Sequence, residues 1–179
     1  MKIMKNKALF LDRDGVINID FGYVFQKNKF LFIPGIFDLA RYAQNKGYLV
    51  IIITNQSGIG RGYYDEKDFN NLMFWVKEQF LLHNVKIDGI YFCPHHPVHG
   101  VGKYKIDCQN RKPNPGMLIK AQKDFMIDMD LSFFIGDKES DIIAGQNAGI
   151  KNLILFSQTK EINNLGFCCN NLYDIIPLL

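Results

Sequence analysis

Short apolar runs, each closed by a polar or glycyl residue, recur along the chain. Residues 8–11 run into Asp12, 49–53 into Thr54, 90–92 into Cys93 and 133–135 into Gly136-Asp137; residues 153–156 close the series. None of these runs alternates apolar with polar positions, so they predict strands buried on both faces, as in a parallel sheet. Between them the apolar period changes to that of a helix. Ile36, Leu39, Ala40 and Ala43 form one stripe, with Gly47 placed to end it. Phe69, Leu72, Met73, Val76 and Phe80 form a longer one behind Asp65, a suitable N-cap, and its aromatic members read as core. Asn114-Pro115 reads as an N-cap and first-turn proline ahead of Met117, Leu118, Ala121 and Phe125. Ile142, Ile143, Ala144 and Ala148 make a last stripe before Gly149. Alternating strands and helices predict an α/β fold: a Rossmann-like doubly wound parallel sheet, helices on both faces, right-handed crossovers. Residues 1–179 are expected to form a single domain. One stretch, 92–114, interrupts the alternation and is rich in His, Pro, Gly and Cys. A loop of that length is usually functional or held by something of its own.

Composition narrows the class further. With 47% apolar and 22% charged residues, the chain can bury an ordinary globular core. That excludes a stapled miniprotein, a disordered chain, a collagen and a membrane bundle. A net charge of +3 does not by itself imply a nucleic-acid partner. The longest apolar run, residues 48–53, is far below the ~20 residues that span a bilayer. The basic start lacks the apolar length of a signal peptide, so a cytoplasmic location without a membrane partner is expected. Cys93, Cys108, Cys168 and Cys169 do not suggest a disulfide framework in a chain of this size. The adjacent pair Cys168-Cys169 is expected to pack against the last strand.

Polar residues gather where the predicted strands end, which is where ligands bind in open α/β sheets. Asp12 and Asp14 are two apart and can face one site, and Gly15 lets the chain turn beyond them. Two close carboxylates repel unless a cation or shared proton relieves them. Asp137 adds a third carboxylate, a set that calls for a hard divalent cation such as Mg²⁺. Thr54, Asn55 and the backbone around Ser57-Gly58 can cradle an anion. Lys112 supplies a point charge, and Arg111 can bind an oxyanion bidentately. Taken singly, each group also fits a solvated turn, a polar loop or a surface charge. The four together are far more specific.

Their order resembles that of the haloacid dehalogenase superfamily over nearly the whole chain. Residues 10–18 look like its motif I, 54–59 like motif II, Arg111-Lys112-Pro113 like motif III and 135–141 like motif IV. Asp12-Arg13-Asp14-Gly15, Gly22-Tyr23-Val24, Thr54-Asn55-Gln56-Ser57-Gly58, Cys93-Pro94-His95-His96-Pro97 and Arg111-Lys112-Pro113 occur together in D-glycero-D-manno-heptose 1,7-bisphosphate 7-phosphatases. Histidinol-phosphate phosphatases share much of the pattern. Short gaps between the motifs leave no room for a large cap domain.

The resemblance implies a Mg²⁺-dependent phosphatase that removes the 7-phosphate through an aspartyl-phosphate. It would serve nucleotide-activated heptose biosynthesis, for a product such as lipopolysaccharide. Its partner would be a small-molecule sugar phosphate rather than a nucleic acid, and it would act as a monomer. In that family Asp12 would be the nucleophile and Asp14 the general acid and base. Thr54, Asn55 and Lys112 would neutralise the phosphoryl group. Mg²⁺ would be held by Asp12, the backbone carbonyl of Asp14 and Asp137, with Asp141 holding the metal's waters or capping a helix. Asp20, Phe21, Gly22, Tyr23, Asn55, Gln56, Ser57, Arg111 and Lys138 match substrate contacts, Arg111 lying on the non-reacting phosphate. Cys93, His95 and Cys108 match ligands of a structural zinc. The family's second pair is Cys-x-Cys, whereas here Asn110 stands in place of the fourth thiolate. His96 or His99 could substitute, or the loop could pack without metal. Other activities compatible with the pattern are a histidinol-phosphate phosphatase, a nucleic-acid 3′-phosphatase and a non-catalytic phosphate-binding module.

Overall fold

The first strand, β1 (Lys7–Leu11), explains how both faces of the sheet come to be apolar. Its side chains alternate: Leu9 and Leu11 join one core, Ala8 and Phe10 the other, and all four are inaccessible to solvent. Strand β2 (Tyr48–Asn55) repeats the pattern, with Val50 and Ile52 on one side and Ile51 and Ile53 on the other. The two pair in parallel, Phe10 opposite Ile51. Fully burying a large apolar side chain of this kind contributes roughly 1.5–3 kcal/mol, so a polar replacement at these buried positions is destabilising.

The structure, a computed structural model, describes residues 5–157 and 167–179. Strands β3 (Gly89–Cys93), β4 (Phe133–Gly136), β5 (Asn152–Phe156) and β6 (Phe167–Cys169) complete an all-parallel sheet in the order β3-β2-β1-β4-β5-β6. Helices α1 (Ile36–Asn45) and α3 (Glu66–Leu82), with a C-terminal 3-10 helix (Leu172–Leu178), cover one face. Helices α4 (Gly116–Phe125) and α5 (Glu139–Asn147) cover the other. A single-turn helix, α2 (Ser57–Gly60), follows β2. The chain winds outward in one direction through β2 and β3 and in the other through β4 to β6. The carboxyl ends of β1 and β4 therefore flank the switch point, where the diverging connections leave a crevice.

The expected strands and helices are all present, with two differences. The series of strands does not close at 153–156: Phe167–Cys169 adds β6, with Leu155 opposite Cys168. Cys168 and Cys169 thus pair with β5 rather than only packing against it. Helix α4 starts one residue later than its sequence suggests. Pro115 is its N-cap, and the Asn114 amide instead donates to the Cys108 carbonyl at 3.2 Å. The α3 cap is as expected. The Asp65 carboxylate accepts from the Asp68 N–H at 2.8 Å, and Asp68 returns the bond to the Asp65 N–H at 3.1 Å, an arrangement that stabilises by about 1 kcal/mol. Among the described residues no helix is long and apolar enough to cross a membrane.

Candidate active site

Strand β1 delivers Asp12 to the crevice, where its carboxylate is almost entirely buried. Oδ1 accepts from the Arg13 N–H at 2.7 Å and from Lys112 Nζ at 2.9 Å. The Lys112 ammonium is also buried. It spends its remaining donors on Asp141 Oδ1 at 2.6 Å and the Ile53 carbonyl at 2.9 Å. The lysine is therefore fully engaged by two carboxylates and the end of β2. Burial pulls its pKa down, but Asp12 and Asp141 more than compensate and hold it above the usual lysine value. Burial is also the largest influence on Asp12. With the nearby Asp141 and Asp137 carboxylates it outweighs Lys112 and lifts the Asp12 pKa well above the ordinary carboxylate range. One buried ammonium does not offset three converging acids.

Asp137, at the end of β4, supplies the third acid. Its Oδ1 is buried without a hydrogen-bond partner, and burial raises its pKa. Carboxylate oxygens of Asp12, Asp137 and Asp141 lie within 4.8 Å of one another. Gly15 makes this approach possible: at φ +90° it takes a conformation that side chains rarely adopt, and a Cβ there would run into the Asp137 carboxylate. An orphaned buried oxygen beside other hard oxygen donors fits a Mg²⁺ ion. Asp141 contributes less to such a site, because its Oδ2 accepts from the Lys138 N–H at 3.1 Å, capping α5, while Lys112 holds Oδ1.

Asp14 is positioned from three sides. Arg13 Nη2 donates to Oδ1 at 2.6 Å, Asn18 Nδ2 to the same oxygen at 3.1 Å, and Gln56 Nε2 to Oδ2 at 3.0 Å. Gln56 also donates to Thr54 Oγ1 at 2.8 Å and accepts from the Tyr64 hydroxyl at 2.6 Å. Its side-chain amide is thus committed to holding Asp14 and Thr54, not pointed at open space. The Asn55 amide is committed too, exchanging 3.1 Å hydrogen bonds with both backbone groups of Lys112. That exchange ties the lysine's loop to the end of β2.

A cleft of about 650 Å³ opens over these groups. Its lining includes Asp12, Asp14, Asp20, Gly22, Tyr23, Asn55, Gln56, Ser57, Arg111, Lys112 and Lys138, so most of the expected substrate-contact residues meet in one place. Lys138 reaches across the mouth, 3.2 Å from Asp20 and 3.5 Å from Asp137. Thr54 is buried and outside this lining, as is Asp137, which borders a separate pocket with Gly15, Asp20 and Ile33 while its carboxylate stays within 4.8 Å of the Asp12 carboxylate. Phe21 is not part of this lining. It is well exposed and borders a neighbouring groove with Tyr23, Phe25 and Tyr63.

The Cys/His loop gathers Cys93, His95 and Cys108 with ligand atoms within 4.8 Å of one another. Cys93 Sγ is 3.8 Å from His95 Nδ1. Tetrahedral zinc, with bonds of about 2.3 Å to sulfur and 2.0 Å to nitrogen, would separate the two by roughly 3.5 Å. The donor set fits zinc. Burial pushes the metal-free Cys93 thiol up to about 12, and Cys108 adds to the shift. Neither candidate fourth histidine joins the group: His96 Nδ1 accepts from the Val98 and His99 N–H groups, and its ring lies against that of His99. The Asn110 N–H donates to Cys108 Sγ at 3.4 Å.

Several residues of the site carry no role in the sequence reading. Arg13 is completely buried, reaching Asp14 and the Val24 carbonyl, with the Phe30 and Phe69 rings 5.9 Å away. An arginine between two strand-end aspartates is the available signal, since a buried arginine requires a carboxylate partner. Asn18, at the end of the motif I segment, also belongs to the site, as do Tyr64 and Arg61, which nothing in their spacing marks.

The chain is similar to known proteins along most of its length. The HAD-hydrolase-like family model matches residues 109–160. The chain is 52% identical over 179 residues to a D-glycero-alpha-D-manno-heptose-1,7-bisphosphate 7-phosphatase of Burkholderia mallei, covering 98% of this chain and 95% of that protein. It is 46% identical to a D-glycero-beta-D-manno-heptose-1,7-bisphosphate 7-phosphatase of Vibrio cholerae, covering 91% of this chain and 88% of that one. Among solved structures, the D,D-heptose 1,7-bisphosphate phosphatase of B. bronchiseptica complexed with magnesium and phosphate matches with a TM-score of 0.83 at 26% identity. The match covers 96% of this chain and 97% of that one.

Proposed function

The chain belongs to the family of D-glycero-D-manno-heptose 1,7-bisphosphate 7-phosphatases, and from that premise we propose that its cleft hydrolyses the 7-phosphate of such a bisphosphate through a phosphoryl group carried on Asp12. The observation that carries this reading is the convergence of Asp12 and Lys112 in one cleft with the unpartnered Asp137 carboxylate, whose oxygen lies within 4.8 Å of Asp12.

In the first step an Asp12 carboxylate oxygen attacks phosphorus, and the bond from phosphorus to the C7 oxygen breaks. Asp14, protonated, donates to that leaving oxygen. In the second step water attacks phosphorus and gives its proton to Asp14, and the Asp12 carboxylate departs. The three donors on Asp14 fix the direction from which it serves both steps. Lys112 and the Thr54 hydroxyl would neutralise the oxygens of the moving phosphoryl group, the largest share of the work in such transfers. Mg²⁺ would be held by Asp12, the Asp14 carbonyl and Asp137, and would supply positive charge to the same oxygens. Lys138, Asp20 and the backbone at Gly22-Tyr23 would orient the sugar from the mouth of the cleft. Zinc on Cys93, His95 and Cys108 would hold the loop that carries Arg111 against the site.

A comparison of kcat/KM tests the reading. It sets both anomers of the heptose bisphosphate against histidinol phosphate and a 3′-phosphorylated oligonucleotide. One anomer of the bisphosphate is expected to lead both other substrates by at least about tenfold, the value of one charge-assisted hydrogen bond. A lead for histidinol phosphate or the oligonucleotide would overturn it.

A further inference from the structure

Two guanidinium groups share the cleft without a carboxylate between them. Arg61 follows α2, Arg111 precedes Lys112, and both line the cavity above Asp12. Of the four cations that line the cleft, Lys112 and Lys138 have acidic partners, but neither of these two arginines does. The Arg111 guanidinium donates to the His95 carbonyl at 3.2 Å and to no carboxylate among the described residues. The Arg61 Nε is fully buried and has no hydrogen-bond partner at all. Its guanidinium lies 5.7 Å from the centre of the Tyr23 ring, whose face steadies a cationic plane. Burial first, and repulsion from Arg61 among the other causes, lowers the Arg111 pKa below the usual arginine value. Both arginines also disfavour a charge on His96. Like charges are held together in a half-buried cleft at a cost, unless an anion is due to sit between them.

We infer that Arg61 is a specificity-determining residue: together with Arg111 it forms a two-armed site for the phosphate that the enzyme does not cleave, with Tyr23 holding its plane. Arginine's planar fork suits a phosphate dianion, and two forks can engage it from two sides. The same pair repels a substrate whose far end is cationic, such as an amino-alcohol monophosphate. The cleft thereby selects sugar bisphosphates over monophosphates. This inference rests on the sugar-bisphosphate reading above.

The test measures kcat/KM for heptose 1,7-bisphosphate, heptose 7-phosphate and histidinol phosphate with the unmodified enzyme, Arg61→Gln and Arg61→Lys. The unmodified enzyme is expected to prefer the bisphosphate. Arg61→Gln should cut the bisphosphate-to-monophosphate ratio roughly 10- to 100-fold, as loss of a charge-assisted contact implies, mainly through KM. Arg61→Lys, which keeps the charge but not the fork, should restore part of the ratio. An unmodified enzyme that prefers the bisphosphate and an Arg61→Gln variant that keeps this preference would overturn the role of Arg61 while leaving the proposed activity standing. An equal fall on all three substrates would also overturn it, since that is what a structural role produces. An unmodified enzyme with no preference for the bisphosphate would remove the proposed activity, and this inference with it.

Discussion

Replacing Lys112 by methionine keeps the side-chain stem and removes the ammonium. Three bonds are lost: to Asp12 at 2.9 Å, to Asp141 at 2.6 Å and to the Ile53 carbonyl at 2.9 Å. All three residues at the ion pair are buried, so water cannot replace the lost cation. Removing one partner of a buried ion pair typically costs about 3–5 kcal/mol, because the remaining charge is left without compensation. Here two carboxylates lose the same partner, with Asp137 close by. The cost does not double, since one carboxyl can take up a proton instead. About 3–5 kcal/mol is a large part of the roughly 5–15 kcal/mol that keeps a domain folded. For a chain of this length it corresponds to a fall in Tm of roughly 6–20 °C. Calorimetry at neutral pH in a chelator reads this directly. Added Mg²⁺ should recover more stability in the variant than in the unmodified protein, because a bound cation supplies the missing charge. Turnover should fall by roughly 100- to 1000-fold, the usual effect of removing one preorganised donor. A chelated variant whose Tm is unchanged would refute the reasoning, since it would show that the acids do not depend on this lysine.

Three further outcomes are expected. Gly15→Ala places a methyl group against the Asp137 carboxylate and in a strained conformation worth about 1–3 kcal/mol, so the Mg²⁺ concentration for half-maximal rate should rise; an unaltered Mg²⁺ titration contradicts it. Tyr64 is pushed by burial from 10.0 to about 12. The folded state keeps that proton longer than the unfolded state, so this group's stability is complete below pH 10 and is lost as pH rises through about 12. Denaturant titrations of the unmodified protein and Tyr64→Phe should differ in alkaline slope over that window, and identical slopes contradict it. Elemental analysis of the protein as purified should find about one zinc per chain, lost in Cys108→Ala; a zinc-free protein contradicts it.

The layers of the fold are legible in the sequence because their strands are buried on both faces. Runs such as residues 49–53 carry no polar position, and that alone distinguishes them from exposed strands. The convergence of Asp12 and Asp137 is legible for a related reason, since strand ends in such a sheet point at one crevice. What the spacing could not reveal is which polar side chains turn inward. Asn55 and Gln56 sit in a segment that reads as an anion cradle, yet their amides grip the Lys112 backbone and Asp14. Those choices depend on Tyr64 and the Lys112 loop, which come from distant parts of the chain. Arg61 lies beyond the recognisable motif, and its relation to Arg111 exists only once the loop after β3 folds back over the cleft. The start of α4 moved because a carbonyl at Cys108 claimed the Asn114 amide, a competition no local propensity describes. Strand β6, three residues long, forms only because the β5 edge is there to receive it.

The most direct test of the account is where the phosphoryl group resides during turnover. Enzyme mixed with the heptose bisphosphate and Mg²⁺, quenched in acid and digested, should yield the peptide containing Asp12 heavier by one phosphoryl group. Asp12→Asn should remain folded, yield no such peptide and release no phosphate. A phosphorylated residue elsewhere, or phosphate release that survives Asp12→Asn, would contradict the account at its centre.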